Sequence, residues 1–417
     1  MRVLVHDYAG HPFPVQLSRT LALRGHEVLH LHFSGFQTPK GPLIARSDDA
    51  PTLRVTGLDI GEPFEKYRFA RRIFQERRYG RVLAAKINEF QPDVVISANS
   101  PLDVQAAALQ ATRQVGGRFV FWMQDVYSIA IERVLHRRLP VVGAMIAARF
   151  TRLERVVTRR SDGVVAITED FVPILVRWGV AEERITVVAN WAPADELRPL
   201  PKDNPWAREH DLADKRVALY SGTLGLKHNP ALLLELADAL RNDDDARVVV
   251  VSDGLGADWL RARTGDRANL VILPFQPFER LGEVVATGDV LLALLEPDAG
   301  VFSVPSKILT YLTAARPIVA AMPRENLAAR TIREAGAGVV VDPGDHLAFA
   351  SATRQLLTDR AGRAEAGDRA RAYATATFDI ERIASRFEEI LSVAGSVAQP
   401  RRQVLVEDAL GDTINGR

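Results

Sequence analysis

Short apolar, β-branched runs alternate with longer amphipathic stretches along almost the whole of this chain, and that alternation constrains its fold more than any other feature. In the first half the runs are Val3–His6, Glu27–His32, Thr52–Val55, Asp93–Ser97, Arg118–Trp122, Gly163–Ile167 and Thr186–Val188. In the second they are Val217–Ser221, Arg247–Ser252, Leu270–Leu273, Asp289–Leu295, Pro317–Ala321 and Gly338–Val341. Nearly continuous apolar character is what parallel strands need when helices cover both faces of a sheet. Each run, the helix after it and the next run then form a βαβ unit, and two successive sets make two doubly wound domains of the α/β class. A length of 417 residues agrees, because a single hydrophobic core stops growing well before that.

The seam between the two sets is legible. Asn190-Trp191-Ala192-Pro193 opens a stretch that holds Pro199, Pro201 and Pro205 and has little apolar periodicity, the composition of a linker. Residues 1–192 are expected to form the first domain, 193–206 the linker and 207–376 the second domain. Residues 377–395 follow as an amphipathic helix with Ile380, Ile383, Phe387, Ile390 and Leu391 on one face, and 396–417 as a loose tail. Two such domains in tandem turn the carboxyl ends of their strands toward one cleft, where doubly wound sheets bind ligands. That suits a ligand of two parts, although architecture alone names no activity.

The chain has no cysteine, which excludes disulfides and thiolate metal sites and accords with a reducing compartment. Met1 runs straight into a strand without signal-peptide anatomy, and no apolar run approaches the ~20 residues of a membrane span, so a cytoplasmic location is the expectation. Charge is uneven: residues 1–200 hold 27 Lys+Arg against 21 Asp+Glu, the remainder 26 against 31. The excess concentrates in Lys66–Lys86 and Arg133–Arg160, which read either as solvated helix faces or as a surface held against anionic lipid on the inner face of a membrane. Pro140–Phe150, inside the second stretch, is either core or a shallow lipid-facing helix. Nucleic acid is not expected as a partner, since neither half is strongly basic and no recognition motif is present.

Two segments carry the chemistry of the second half. In Tyr220-Ser221-Gly222-Thr223-Leu224-Gly225-Leu226-Lys227-His228-Asn229-Pro230, glycines let the backbone approach a ligand and Lys227 brings a cation to the mouth of the next helix. In Val301-Phe302-Ser303-Val304-Pro305-Ser306-Lys307, Ser303 reads as an N-cap and Pro305 as part of the first turn of the helix Ile308–Ala314. Amide groups, helix dipole, the Ser306 hydroxyl and the Lys307 ammonium would converge there on phosphate oxygens. Two cation-bearing βα loops on one sheet edge point to a diphosphate. The triad Asp243-Asp244-Asp245 precedes a strand, at the edge away from the cleft, and reads as a solvated turn. No His-Glu cluster has metal-ligand spacing, so neither a metal nor another cofactor is expected.

These segments, with Asp253-Gly254 after a strand and Arg316-Pro317-Ile318-Val319-Ala320, resemble the family-4 glycosyltransferases, which are retaining enzymes of the GT-B fold. The likeness runs over roughly residues 1–395 and is greatest to transferases of bacterial colanic-acid and O-antigen synthesis. It implies a first domain that binds the acceptor, a second that binds the nucleotide sugar, and a last helix that crosses back to the first. It also implies a donor site of Gly222, Thr223, Lys227, Asp253, Gly254, Phe275, Gln276, Ser303, Val304, Ser306, Lys307 and Thr310, with the loop Leu273-Pro274-Phe275-Gln276 contacting the nucleobase. Asp125, in Trp122-Met123-Gln124-Asp125-Val126-Tyr127, matches the segment where an acid approaches the reacting sugar; capping a helix is the other reading. His11, in the loop after the first strand, is a second catalytic candidate.

Three positions depart from the family pattern: Thr310 stands where a glutamate holds both ribose hydroxyls, Ala315 where there is a glycine, and Thr223 where many members have arginine. A hydroxyl does not replace a bidentate carboxylate. Thr310 therefore points to looser ribose recognition or to a deoxyribose donor such as a dTDP-sugar. A UDP-sugar is the first expectation for the donor, with a dTDP-sugar or a GDP-sugar as the other choices. The acceptor class stays open among a glycan, a lipid-linked carrier and a small molecule. Two other readings remain: a sugar-nucleotide epimerase of the same architecture, and a catalytically silent nucleotide-binding partner subunit.

Overall fold

The computed structural model describes residues 1–36, 43–65, 68–138, 140–225, 228–297 and 305–396. Lys227, Ser303, Val304 and the expected tail lie outside the described residues.

The first apolar runs form β1 (Arg2–Asp7), β2 (Glu27–Phe33), β3 (Leu53–Leu58), β4 (Val94–Ala98), β5 (Arg118–Met123), β6 (Gly163–Ala166) and β7 (Ile185–Val187). They pair in the order β3-β2-β1-β4-β5-β6-β7, every pair parallel. The second set forms β8 (Arg216–Ser221), β9 (Ala246–Val251), β10 (Leu270–Leu273), β11 (Val290–Leu294), β12 (Ile318–Ala321) and β13 (Gly338–Val341), in the order β10-β9-β8-β11-β12-β13 and again parallel. Val3, Leu4 and Val5 in β1 and Val217, Ala218 and Leu219 in β8 are completely buried, as strands with helices on both faces must be. The strand order reverses between β1 and β4 in one sheet and between β8 and β11 in the other. These are the switch points where a doubly wound sheet leaves a crevice.

Aromatic rings join the halves. Trp191, at the end of the first domain, stacks on Trp122 of β5 at 5.7 Å, and Phe387 of the last helix lies 4.8 Å from Trp122. The Trp191 indole N–H donates to Gln16 at 2.7 Å. The helix Ile380–Ser396 lies along the helix Pro12–Leu23. Arg24 ties this pair by ion pairs to Glu381 and Glu388, both at 2.6 Å. On the other side of the cleft Asp170 of the first domain meets Arg330 of the second at 2.5 Å.

The two basic stretches part company. In the first, Arg71 pairs with Glu62 and Glu65, Arg72 with Glu76, Arg77 with Asp103, Arg78 with Glu62 and Lys86 with Glu89. The second contains the helix Pro140–Arg160, where exposed Arg152, Arg155 and Arg159 line an open groove of about 570 Å³ floored by Ala144, Ala147, Ala148 and Val156. Met145, beside the groove, is 73% exposed. No described helix is long and apolar enough to cross a membrane.

Asp243 and Asp245 sit at the amino edge of β9 and bind Arg216 and Lys215, as a surface turn would. Among the described residues no three His, Asp or Glu side chains are grouped to hold a metal ion.

Candidate active site

A cavity of about 370 Å³ lies between the facing strand ends of the two sheets. His11, Asn99, Gln124, Asp125 and Asn190 line it from the first domain; Gly222, Thr223, Phe275, Gln276, Ser306, Lys307 and Thr310 line it from the second. Nine of the residues expected at the site thus share one space, although they span almost 300 positions of sequence: His11, Asp125, Gly222, Thr223, Phe275, Gln276, Ser306, Lys307 and Thr310.

Lys307 is fixed by its helix, Lys307–Thr313, and by the strand end opposite. Four residues along, on the same helical face, the Tyr311 hydroxyl donates to the Ser221 carbonyl at 3.1 Å and accepts the Ser221 N–H at 2.9 Å. This clamp holds the end of β8 beside the start of the helix. The Lys307 ammonium then lies 3.5 Å from the centre of the Tyr220 ring, a cation–π contact. A Cβ on Gly222 would meet Nζ at 3.2 Å, and the backbone there has φ +121°, so glycine is required both for space and for conformation. The lysine stem is partly exposed, but Nζ is buried and has no hydrogen-bond acceptor among the described residues. Desolvation pushes its pKa well below the usual lysine value. An anion brought into the cavity would reverse that shift.

The helix Lys307–Thr313 lies within one residue of the expected Ile308–Ala314. Ser306 holds the N-cap position, with φ −60° and ψ −23°, and its hydroxyl makes no capping bond; Ser303, the expected cap, lies outside the described residues. The Pro305 carbonyl already accepts the Ile308 N–H at 3.2 Å, so the first turn closes around Pro305. The exposed Ser306 side chain is left at the cavity wall.

Asp253 and Gly254, also expected at the donor site, do not line this cavity. The Asp253 carboxylate accepts the Phe275 N–H at 3.0 Å and lies 3.5 Å from Arg261, so it anchors the neighbouring loop. Gly254, at φ +106°, starts the helix Leu255–Arg261. The Gln276 side chain is also committed: it accepts from the Trp206 indole at 3.0 Å and donates to the Pro274 carbonyl at 3.0 Å. Phe275, Phe278, Leu281 and Val285 complete an apolar wall there.

On the first-domain side the His11 ring stacks on Phe13 at 5.8 Å, and the His11 backbone N–H donates to the buried Asp7 carboxylate. Asp7 also accepts from Asn99 at 2.8 Å, and burial raises its pKa. Asp125 follows β5 and precedes the helix Tyr127–Arg138. Two of that helix's first amides, Tyr127 and Ser128, donate to the fully buried Glu154 at 3.0 and 2.9 Å. Burial pushes the Glu154 carboxyl up to about 7 in spite of those two bonds. Sequence reasoning missed Asn99, Gln124, Asn190 and Glu154. Gln124 adjoins a residue it did single out, and Asn190 was read as the start of the linker. Glu154, an acid inside a basic helix, gives no local signal.

Residues 11–191 match the family described as a glycosyl transferase 4-like domain, and residues 215–359 match the glycosyl transferases group 1 family. The colanic acid biosynthesis glycosyl transferase WcaI of Escherichia coli is 25% identical over 304 residues, covering 72% of this chain and 73% of that protein. The glycosyltransferase WbjE of Pseudomonas aeruginosa is 23% identical over 300 residues, 71% of each. Among solved structures, HepE of Anabaena in complex with UDP-glucose superposes with a TM-score of 0.68 at 15% identity, over 94% of this chain and 99% of that one. Two group-typical domains, two parallel sheets and a cavity between their strand ends lead to one assignment: the chain belongs to the family-4 glycosyltransferases of the GT-B fold.

Proposed function

We propose that this glycosyltransferase moves a sugar from a nucleoside diphosphate to an acceptor hydroxyl with retention of anomeric configuration, in the assembly of a surface polysaccharide or related glycoconjugate. The observation that carries this reading is Lys307: a buried cation at the cavity wall, held over a tyrosine ring, with no anion paired to it among the described residues. A diphosphate supplies that anion. As the glycosyl bond breaks, negative charge grows on the departing phosphate, and a cation already in place stabilises it without reorganisation. Ser306 adds a hydroxyl beside it; Lys227 is expected to add a second cation. The apolar wall at Phe275 suits a flat base whose edge is read by backbone groups, since the Gln276 side chain is engaged elsewhere. Asp125 and His11 line the first-domain side of the cavity, which supports their orienting the reacting hydroxyl or taking its proton. Retention is carried over from the family likeness, and a metal-independent reaction from the sequence, in which no His-Glu cluster has metal-ligand spacing.

HepE, with UDP-glucose, supports UDP as the donor nucleotide. Thr310 supports the alternative of a deoxyribose donor such as a dTDP-sugar, because it offers a single neutral hydroxyl at the cavity wall. WcaI supports the polysaccharide role. Arg152, Arg155 and Arg159, exposed along one groove of Pro140–Arg160, support a peripheral site of action on an anionic membrane, with a lipid-linked acceptor.

One experiment tests the core of this. Nucleotide release from UDP-, dTDP- and GDP-sugars is measured in EDTA for the wild type and for Lys307→Ala, with UDP-induced thermal shifts on the same samples. Lys307→Ala should lower turnover by about 10²-fold or more and abolish the shift. Near-normal rates in the variant would refute the assignment, and a strong preference for UDP would remove the deoxyribose alternative. Loss of all activity in EDTA would show a metal requirement.

A further inference from the structure

Two carboxamides at the cavity wall are incompletely satisfied in a complementary way. Gln124 directly follows β5, is 7% exposed, and accepts a hydrogen bond from Asn190 at 2.5 Å. Its remaining Nε2 is buried with no acceptor among the described residues, and the remaining Oδ1 of Asn190 is buried with no donor. Both residues line the cavity. The pair therefore holds out one amide NH2 group, a donor, and one carbonyl oxygen, an acceptor, each without any partner among the described residues.

That count does not depend on how the two amides are oriented. Turning both by half a rotation exchanges the roles, yet still leaves one N–H group and one carbonyl unpaired. Leaving either buried and unpaired costs about 1–3 kcal/mol, so an arrangement that leaves two is selected against unless something fills it. The filling group must accept one hydrogen bond and donate another. An ether oxygen or a carboxylate satisfies only the N–H group, and an ammonium only the carbonyl. A hydroxyl satisfies both.

We propose that Gln124 and Asn190 together read one hydroxyl of the sugar in the cleft, either of the glycosyl group being transferred or of the acceptor. This rests on the cleft being the site of glycosyl transfer. The pair stands on the first-domain wall, next in sequence to Asp125 and across the cavity from Lys307. It would set which sugar is oriented for reaction, whereas Lys307 answers only to the phosphates.

The test compares Gln124→Met, Asn190→Leu and the double variant with the wild type, using the nucleotide sugar that the wild type turns over fastest. Each single variant should lose about 10²-fold in kcat/KM, because the partner amide and the substrate hydroxyl are both left unpaired. The double variant should be no worse than the poorer single, since both amides serve one hydroxyl. Melting midpoints should hold or rise. Near-wild-type kcat/KM in either single variant, or losses that multiply in the double, would overturn the proposal. Should a variant fold poorly, mono-deoxy analogues decide with the wild type alone: removing one hydroxyl should cost about 10²-fold, and equal tolerance of every deoxy analogue would overturn the idea. The substrate whose KM rises identifies the source, donor sugar or acceptor. A bound water in place of a hydroxyl predicts lowered midpoints with unchanged kinetics, which also counts against it. If none of UDP, dTDP and GDP stabilises even the wild type, the diphosphate reading fails instead.

Discussion

Ala315 shows how a single backbone angle explains a departure from a family pattern. It has φ +55°, in the left-handed region, at the position where the family carries glycine. A Cβ in that region costs on the order of 1 kcal/mol. Ala315→Gly should therefore raise the free energy of unfolding by up to about 1 kcal/mol, less whatever glycine's extra freedom in the unfolded chain takes back. Urea denaturation measures this, and kcat should not change because Ala315 is absent from the cavity wall. Gly222 is the converse case, where conformation and the nearness of Lys307 both demand glycine. Residues of this kind were legible in the sequence: Gly222, Ser306 and Lys307 sit in short segments whose chemistry is local. Gln124 and Asn190 were not, because an unmatched donor and acceptor become visible only when residues 66 positions apart are brought into contact.

At the scale of elements, the least legible feature is the way one helix secures another. Glu154, from Pro140–Arg160, closes the start of Tyr127–Arg138 and so fixes the turn that carries Asp125. Its carboxyl is raised from the ordinary 4.5 to about 7 by burial. Between those two values the folded protein keeps a proton that the unfolded chain has released, so stability falls as pH rises from about 4.5 to about 7 and then levels off. The loss is on the order of 3 kcal/mol across the window. Glu154→Gln, which does not titrate, should flatten this part of the profile when unfolding is measured at pH 5 and pH 8. A wild-type profile that rises over the same range would contradict it. The strands themselves were read almost to the residue, since continuous burial leaves an apolar signature. The helix after Pro305 was also read to within one residue, because a proline marks the first turn.

For the whole molecule, the alternation of strands and helices sufficed to predict two doubly wound sheets. What sequence left open is how they are held together. Phe387 is completely buried and touches Trp122 and, at 6.4 Å, Trp191, so one side chain of the last helix braces both the sheet and the exit from the first domain. Phe387→Ala should cost about 3–5 kcal/mol, seen as a lowered melting midpoint. If the brace also sets the angle between the domains, KM for the donor will rise as well. A fall in stability with unchanged KM would confine Phe387 to packing.

The returning helix has a consequence for how the protein is made. Its seat, along Pro12–Leu23 and under Trp122, belongs to the first part of the chain to leave the ribosome, whereas Ile380–Ser396 comes from the far end. At roughly 5–20 residues per second, the first domain waits on the order of 10–40 s after its last strand is synthesised before that seat is covered. During that interval the apolar side chains that Phe387 covers, Trp122 among them, lack their cover.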